Sequence, residues 1–221
     1  MKNMTAMNAK RKQAGFTIIE LVVVILLLGI LTATALPRFM DVTDEAHDAV
    51  VDAVQGGFTT GVALFRAQWV AEGQPLEDET DDTGYNLFAS TAGYPRSNTD
   101  ENTSVAALDT ATTCTAVYDS VIQASGRPTI ASAEDGLAAD DDEERETVIE
   151  TATTANPTAD FIAVLEKDAA TPTDATVSCS YYYVGQHKSG TDAVQNSIPK
   201  ITYNFETGAI VRAAELVMLT D

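Results

Sequence analysis

From Phe16 onward the hydrophobic positions run without a break, and then they thin to a single stripe. Phe16 to Leu36 spans 21 residues, and Glu20 is the one charged member. After Pro37, Val42, Ala46, Ala49, Ala53 and Gly57 recur on one helical face. That face drifts into Phe58, Gly61, Val62, Phe65 and Trp69, with Asp48, Asp52, Gln55, Thr59 and Arg66 opposite. Gly73 and Pro75 carry the usual stop signals. The pattern predicts one helix from about Phe16 to about Glu72, roughly 85 Å long at standard rise. Its first half is apolar all round and needs lipid or other helices about it. Its second half is amphipathic and packs under a domain.

The rest of the chain predicts that domain. Residues 77–103 are polar, with Gly84, Gly93 and Pro95, and read as a long surface connection with short local order. Ser104 to Ser125 reads as a second helix, with Val105, Leu108, Ala111, Thr115, Tyr118 and Ile122 on one side and Gly126 and Pro128 as the stop. Gly136 to Glu146, holding Asp140 to Glu144, reads as a solvated loop. Strand signals gather at the C-terminal end: Phe161–Leu165, Val177–Val184, and a hairpin of Ile201–Phe205 and Ala209–Ala213 turning at Gly208. The expected class is α+β, an antiparallel sheet laid on the amphipathic half of the long helix.

The apolar run is long enough to cross a bilayer, since ~30 Å of hydrocarbon takes about 20 helical residues. Lys2, Lys10, Arg11 and Lys12 precede it with no acidic residue, which puts the N-terminus on the cytoplasmic side. A lone carboxylate at Glu20 is costly there and calls for a partner. One local partner is at hand, because Thr17-Ile-Ile-Glu20 fits a capping box. Pro37 predicts a kink, and Gly29, Thr32 and Thr34 weaken the helix before it.

The order of parts excludes an ordinary secretory signal, in which cleavage follows the apolar core and removes it. Here the candidate scissile bond, Gly15–Phe16, comes first, so cleavage keeps the helix. The basic leader, Gly15, Phe16, the GFTIIEL junction with Glu20 five residues into the mature chain, and Gly29 and Pro37 together resemble the type IV pilin family and its class III signal. The chain then divides into a leader (1–15), a transmembrane or filament-core helix (16–37), and the amphipathic half-helix with an extracytoplasmic head (38–221). The resemblance implies a prepilin in the inner membrane of a Gram-negative bacterium, acted on by a prepilin peptidase and the inner-membrane assembly machinery. It implies cleavage after Gly15, N-methylation of Phe16, an assembly role for Glu20, and loss of helix between Gly29 and Pro37 in the filament. The product is a homopolymeric surface pilus used for attachment. The rivals are a minor pilin, a type II secretion pseudopilin, and a membrane-anchored extracytoplasmic enzyme.

Cys114 and Cys179 are the only cysteines. Beyond the membrane helix they lie where disulfides persist, so a Cys114–Cys179 bridge is expected, the alternative being two free thiols; pilins of the type IVa class commonly carry a head disulfide. A helix cysteine, a strand cysteine, the ITYNFETGAI hairpin, the MKNMT start and Pro37–Asp41 look most like the mannose-sensitive haemagglutinin (MSHA) pilins.

Charge narrows the partners. The full chain carries −20; the leader takes four of its 13 basic residues, leaving nine against 33 acidic ones, or −24. Such a surface disfavours nucleic acid, whose binding rests on neutralising phosphates. Weak Ca2+ binding by the acidic loops is the nearest thing to a cofactor, although neither acidic run fits an EF-hand. His47 and His187 have no Cys or second His at ligand spacing and read as surface residues. Phe58, Phe65 and Trp69 read as core. No phosphate loop, nucleophile elbow or zinc-helix motif is present, so no catalytic residue is assigned.

Overall fold

A computed structural model describes residues 16–74, 87–97, 108–109, 111–123, 125–133, 142–167, 177–185 and 196–217. The leader with Gly15, the acidic run from Glu77 to Asp82, the stretch from Gly136 to Asp141, and His187 lie outside them. Residues 1–46 and 47–221 form two compact units. The first helix, α1 (Ile18–Ala71), belongs to both and is helical through Pro37.

In the 47–221 unit, α1 packs on a five-stranded sheet through Val51, Val54, Phe58, Val62 and Phe65. This corrects the face drawn from the sequence, because Ala46, Ala49, Ala53 and Gly57 are exposed. A periodicity that weights alanine like valine misplaces the seam. Burying a branched or aromatic side chain removes far more apolar area from water than burying a methyl, so the larger residues win the contact.

The strands run in the order β3 (Ile130–Ser132), β4 (Phe161–Glu166), β5 (Ser178–Tyr183), β6 (Asn196–Asn204), β7 (Ile210–Val217). A separate pair, β1 (Phe88–Ala89) and β2 (Pro95–Ser97), gives the 77–103 connection its local order. The pairs β4–β5, β5–β6 and β6–β7 are antiparallel. β3 lies parallel to β4, so the sheet is mixed rather than purely antiparallel. A parallel pair needs a crossover, and α3 (Asp142–Ala155) supplies it. The acidic stretch from Asp142 therefore opens a helix instead of continuing a loop. Carboxylates are favoured in a first turn by the helix dipole. Ile149 and Ala152, three residues apart, give α3 its buried stripe.

Both faces of the sheet's middle are covered. Phe161, Ala163, Leu165, Cys179, Tyr181 and Tyr183 pack with α1, while Ile162, Val164, Tyr182, Val184 and Ile198 pack with α3. That two-sided burial explains why Phe161–Leu165 is an unbroken apolar run rather than an alternating one.

Of the helix expected over 104–125, the described residues Leu108 and Asp109 are not helical and the helical part covers 111–121. A π-helical turn (Ala111–Thr115) leads into α2 (Ala116–Val121), and Ile122 is already extended at φ −97°, ψ 131°. The π turn inserts one residue and shifts the phase, bringing Cys114, Val117, Tyr118 and Val121 inward.

At the centre, Phe58 sits edge-on to Tyr181 and Tyr203, each at 5.3 Å. The buried phenols donate to carbonyls: Tyr181 to Cys114 (2.9 Å), Tyr203 to Pro95 (2.7 Å) and Tyr118 to Pro128 (3.3 Å). Burial pushes all three hydroxyls well above the ordinary tyrosine range. Gly208, at φ 65°, makes the β6–β7 turn as its sequence position suggested. A Cβ there would also run into the Tyr94 ring. The turn is fixed further by Asn204, whose Oδ1 accepts from the backbone N–H groups of Glu206 and Thr207.

Candidate assembly segment

The segment Ile18–Leu36 has a mean hydropathy of 2.7, and none of it is buried by the rest of the chain. Phe16 is 88% exposed, and the leucines, isoleucines and valines that follow are exposed on every side. Continuous apolar surface of this extent needs a nonaqueous or protein neighbour. Lipid fits by length, and so do other helices of the same kind.

Glu20 is held locally. Its Oε2 accepts from the Thr17 backbone N–H (3.0 Å) and from Thr17 Oγ1 (2.9 Å), while the Glu20 N–H donates to Thr17 Oγ1 (3.3 Å). This reciprocal arrangement is a capping box. The carboxylate is therefore satisfied by its own helix end, and no distant group is needed in this state.

The two threonines of the span hide their hydroxyls in a similar way. Thr32 Oγ1 donates back to the carbonyls of Leu28 and Gly29, and Thr34 Oγ1 to those of Ile30 and Leu31 (3.3 and 3.0 Å). A Cβ added at Gly29 would meet nothing within 4 Å, so contacts within this chain do not require a glycine there. Pro37 lies inside α1 and offers no N–H to the carbonyl of Ala33.

In the head, Cys114 and Cys179 form a disulfide with Cα atoms 5.4 Å apart, tying the π turn to β5. Both cysteines are fully buried. Phe58 and Phe65 are core residues, but Trp69 is half-buried and lies against Gly93. His47 is not a plain surface residue. It is half-buried, and its Nδ1 lies 2.7 Å from the Tyr183 hydroxyl. Sequence reasoning also missed the Arg66 guanidinium stacked 4.2 Å from the Tyr94 ring centroid, and Arg212 bridging Asp48 and Asp52. Those partners are 28 and 160 or more positions apart, and no local pattern joins them. Among the described residues no cluster of His, Cys, Asp or Glu is arranged to hold a metal.

An N-terminal helix that is apolar all round and leads into an α+β head is the layout of filament-forming subunits that begin as membrane proteins. Residues 10–36 match the family described as the prokaryotic N-terminal methylation motif. The chain is 39% identical over 106 residues to the type IV narrow pilus major component PilA5 of Thermus thermophilus, which covers 46% of this chain and 84% of that protein. It is 38% identical over 94 residues to fimbrial protein Q of Moraxella bovis, covering 42% of this chain and 56% of that one. No solved structure matches. The chain belongs to the type IV pilin family and is a structural subunit of a type IV pilus. Membership carries polymerisation, processing by a prepilin peptidase, a membrane-anchored precursor and a surface filament.

Proposed function

We propose that this chain is the major subunit of its pilus, inserted in the inner membrane of a Gram-negative cell and built into a surface filament for attachment. Cleavage falls after Gly15, and the new Phe16 amine is methylated. The single observation that carries this reading is the 19-residue apolar span that no described residue covers, with one carboxylate at its start. The Thermus relative, a major pilus component by name, supports the choice of major over minor subunit. The likeness to the mannose-sensitive haemagglutinin pilins rests on the residues of this chain alone. No cofactor and no enzymatic activity belong to this reading.

Glu20 acts twice in it. In the precursor the capping box shields its charge. In the filament, where a buried unpaired carboxylate costs several kcal/mol, it pairs with the Phe16 amine of a neighbouring subunit and sets axial register. The test is Glu20→Ala. The variant is expected to insert, be cleaved and fold its head, yet leave cells nearly bald at equal levels of mature subunit. Abundant filaments on those cells would reduce Glu20 to a cap worth about 1 kcal/mol. Deleting the gene separates the subunit classes: loss of all filaments marks the major subunit, and persistence of filaments marks a minor one.

A further inference from the structure

The head's hold on α1 begins with polar contacts, before the apolar seam. Among the helix side chains described, Val51 is the first that is fully buried. One turn earlier, His47 Nδ1 meets the Tyr183 hydroxyl at 2.7 Å, with ring centroids 5.7 Å apart. Tyr183 is buried at the end of β5, where its ring lies 5.0 Å from that of Phe161, so the hydroxyl is presented from a fixed ring. From β7, the Arg212 guanidinium reaches Asp48 through Nη2 and Asp52 through Nη1. Asp48 and Asp52 are i and i+4 on the helix and repel each other when unneutralised. Arg212 turns that repulsion into a bridge.

Two strands thus grip the first two turns of the head's part of α1 at three side chains. The upstream helix contains its own weak point, because Gly29, Thr32 and Thr34 have poor propensity and Pro37 removes a backbone bond. We propose that the His47–Tyr183 and Arg212–Asp48/Asp52 contacts form a latch that stops helix fraying from reaching the start of the seam at Val51, ahead of the part anchored by Phe58–Phe65. The latch is partly ionic and exposed, with the Asp48 and Asp52 side chains each 63% accessible, so it loosens in high salt.

Hydrogen exchange read by mass spectrometry on the full chain in neutral detergent micelles tests this directly. Asp48→Asn with Asp52→Asn, both on the surface, is expected to speed exchange of amides 47–53 about threefold; adding Tyr183→Phe is expected to bring this to about tenfold. Peptides covering 58–65 and β4 are expected to keep wild-type rates. Wild-type chain in 1 M NaCl is expected to match the double variant. Unchanged rates at 47–53 in the triple variant overturn the latch, and so does equal acceleration throughout the head. Salt-independent rates in the wild type overturn its ionic half.

Discussion

Two stretches of one helix, Ile18–Leu36 and Val51–Phe65, share a backbone conformation and little else. In the first, every large apolar side chain is exposed, and order comes from backbone bonds, the Thr17–Glu20 box and the back-bonded threonines. In the second, five side chains are buried against a sheet. Each of those is worth about 1.5–3 kcal/mol. Among the described residues the first stretch packs on nothing, which is the surface that lipid or other subunits cover. The second is stabilised within its own chain. An all-round apolar helix names an outside partner, and a one-sided helix names an inside one.

Substitution within each stretch sharpens that contrast. Phe58, 1% exposed at the meeting of α1, Tyr181 and Tyr203, is the most sensitive place on the second stretch. Phe58→Ala is expected to destabilise the head by about 4 kcal/mol in denaturant titrations of the full chain in detergent. Leu27→Ala, on the exposed first stretch, is expected to leave the head's midpoint unchanged. Equal losses from the two would erase the distinction.

The disulfide comes next. Replacing Cys114 and Cys179 together by alanine opens a cross-link between residues 65 positions apart and is expected to cost about 3 kcal/mol. The loss belongs to the head alone, so membrane insertion of the first stretch, followed by membrane flotation, is expected to be intact.

The glycines divide in the same way. A Cβ at Gly61 of α1 would press on the backbone carbonyl of Val121 at the end of α2. Gly61→Ala is expected to lose about 1–3 kcal/mol to overpacking, more than the ~1 kcal/mol gained in helix propensity. Gly57 and Gly29 face open space, so alanine there is expected to stabilise the free subunit slightly. If Gly29→Ala nevertheless blocks filament formation, the demand for glycine arises between subunits or from loss of helix on assembly. Thermal melts beside filament counts separate these cases.

The smallest effect under ordinary conditions is pH-dependent. Tyr118, Tyr181 and Tyr203 have hydroxyl pKa values raised by burial above the unfolded value near 10. A raised pKa favours the protonated, folded form. Its contribution is fully present below about pH 10 and is lost as pH rises toward the folded values. The head is therefore expected to be flat in stability through neutral pH and to unfold above about pH 10. Absorbance at 295 nm is expected to show these buried tyrosines ionising only together with loss of near-UV dichroism. Ionisation of all seven tyrosines in a folded head would contradict the packing.

The amino-acid sequence by itself determined the long helix to within a residue or two at each end, because its apolar span and its stop signals are local. It also gave the strands from Phe161 onward and the Gly208 turn, since β-rich runs and a turn glycine act over a few positions. The capping box was legible for the same reason, as its two residues are three apart. Other features waited for the tertiary structure. The packing face of α1 was decided by which side chains bury more area against the sheet, and the parallel β3 by the α3 crossover. A one-residue π insertion placed Cys114 opposite β5. His47 acquired Tyr183, and Asp48 and Asp52 acquired Arg212, across 136 to 164 positions of chain. Local periodicity reports what a segment needs to cover, whereas the identity of the cover is settled only when distant segments compete for the same surface.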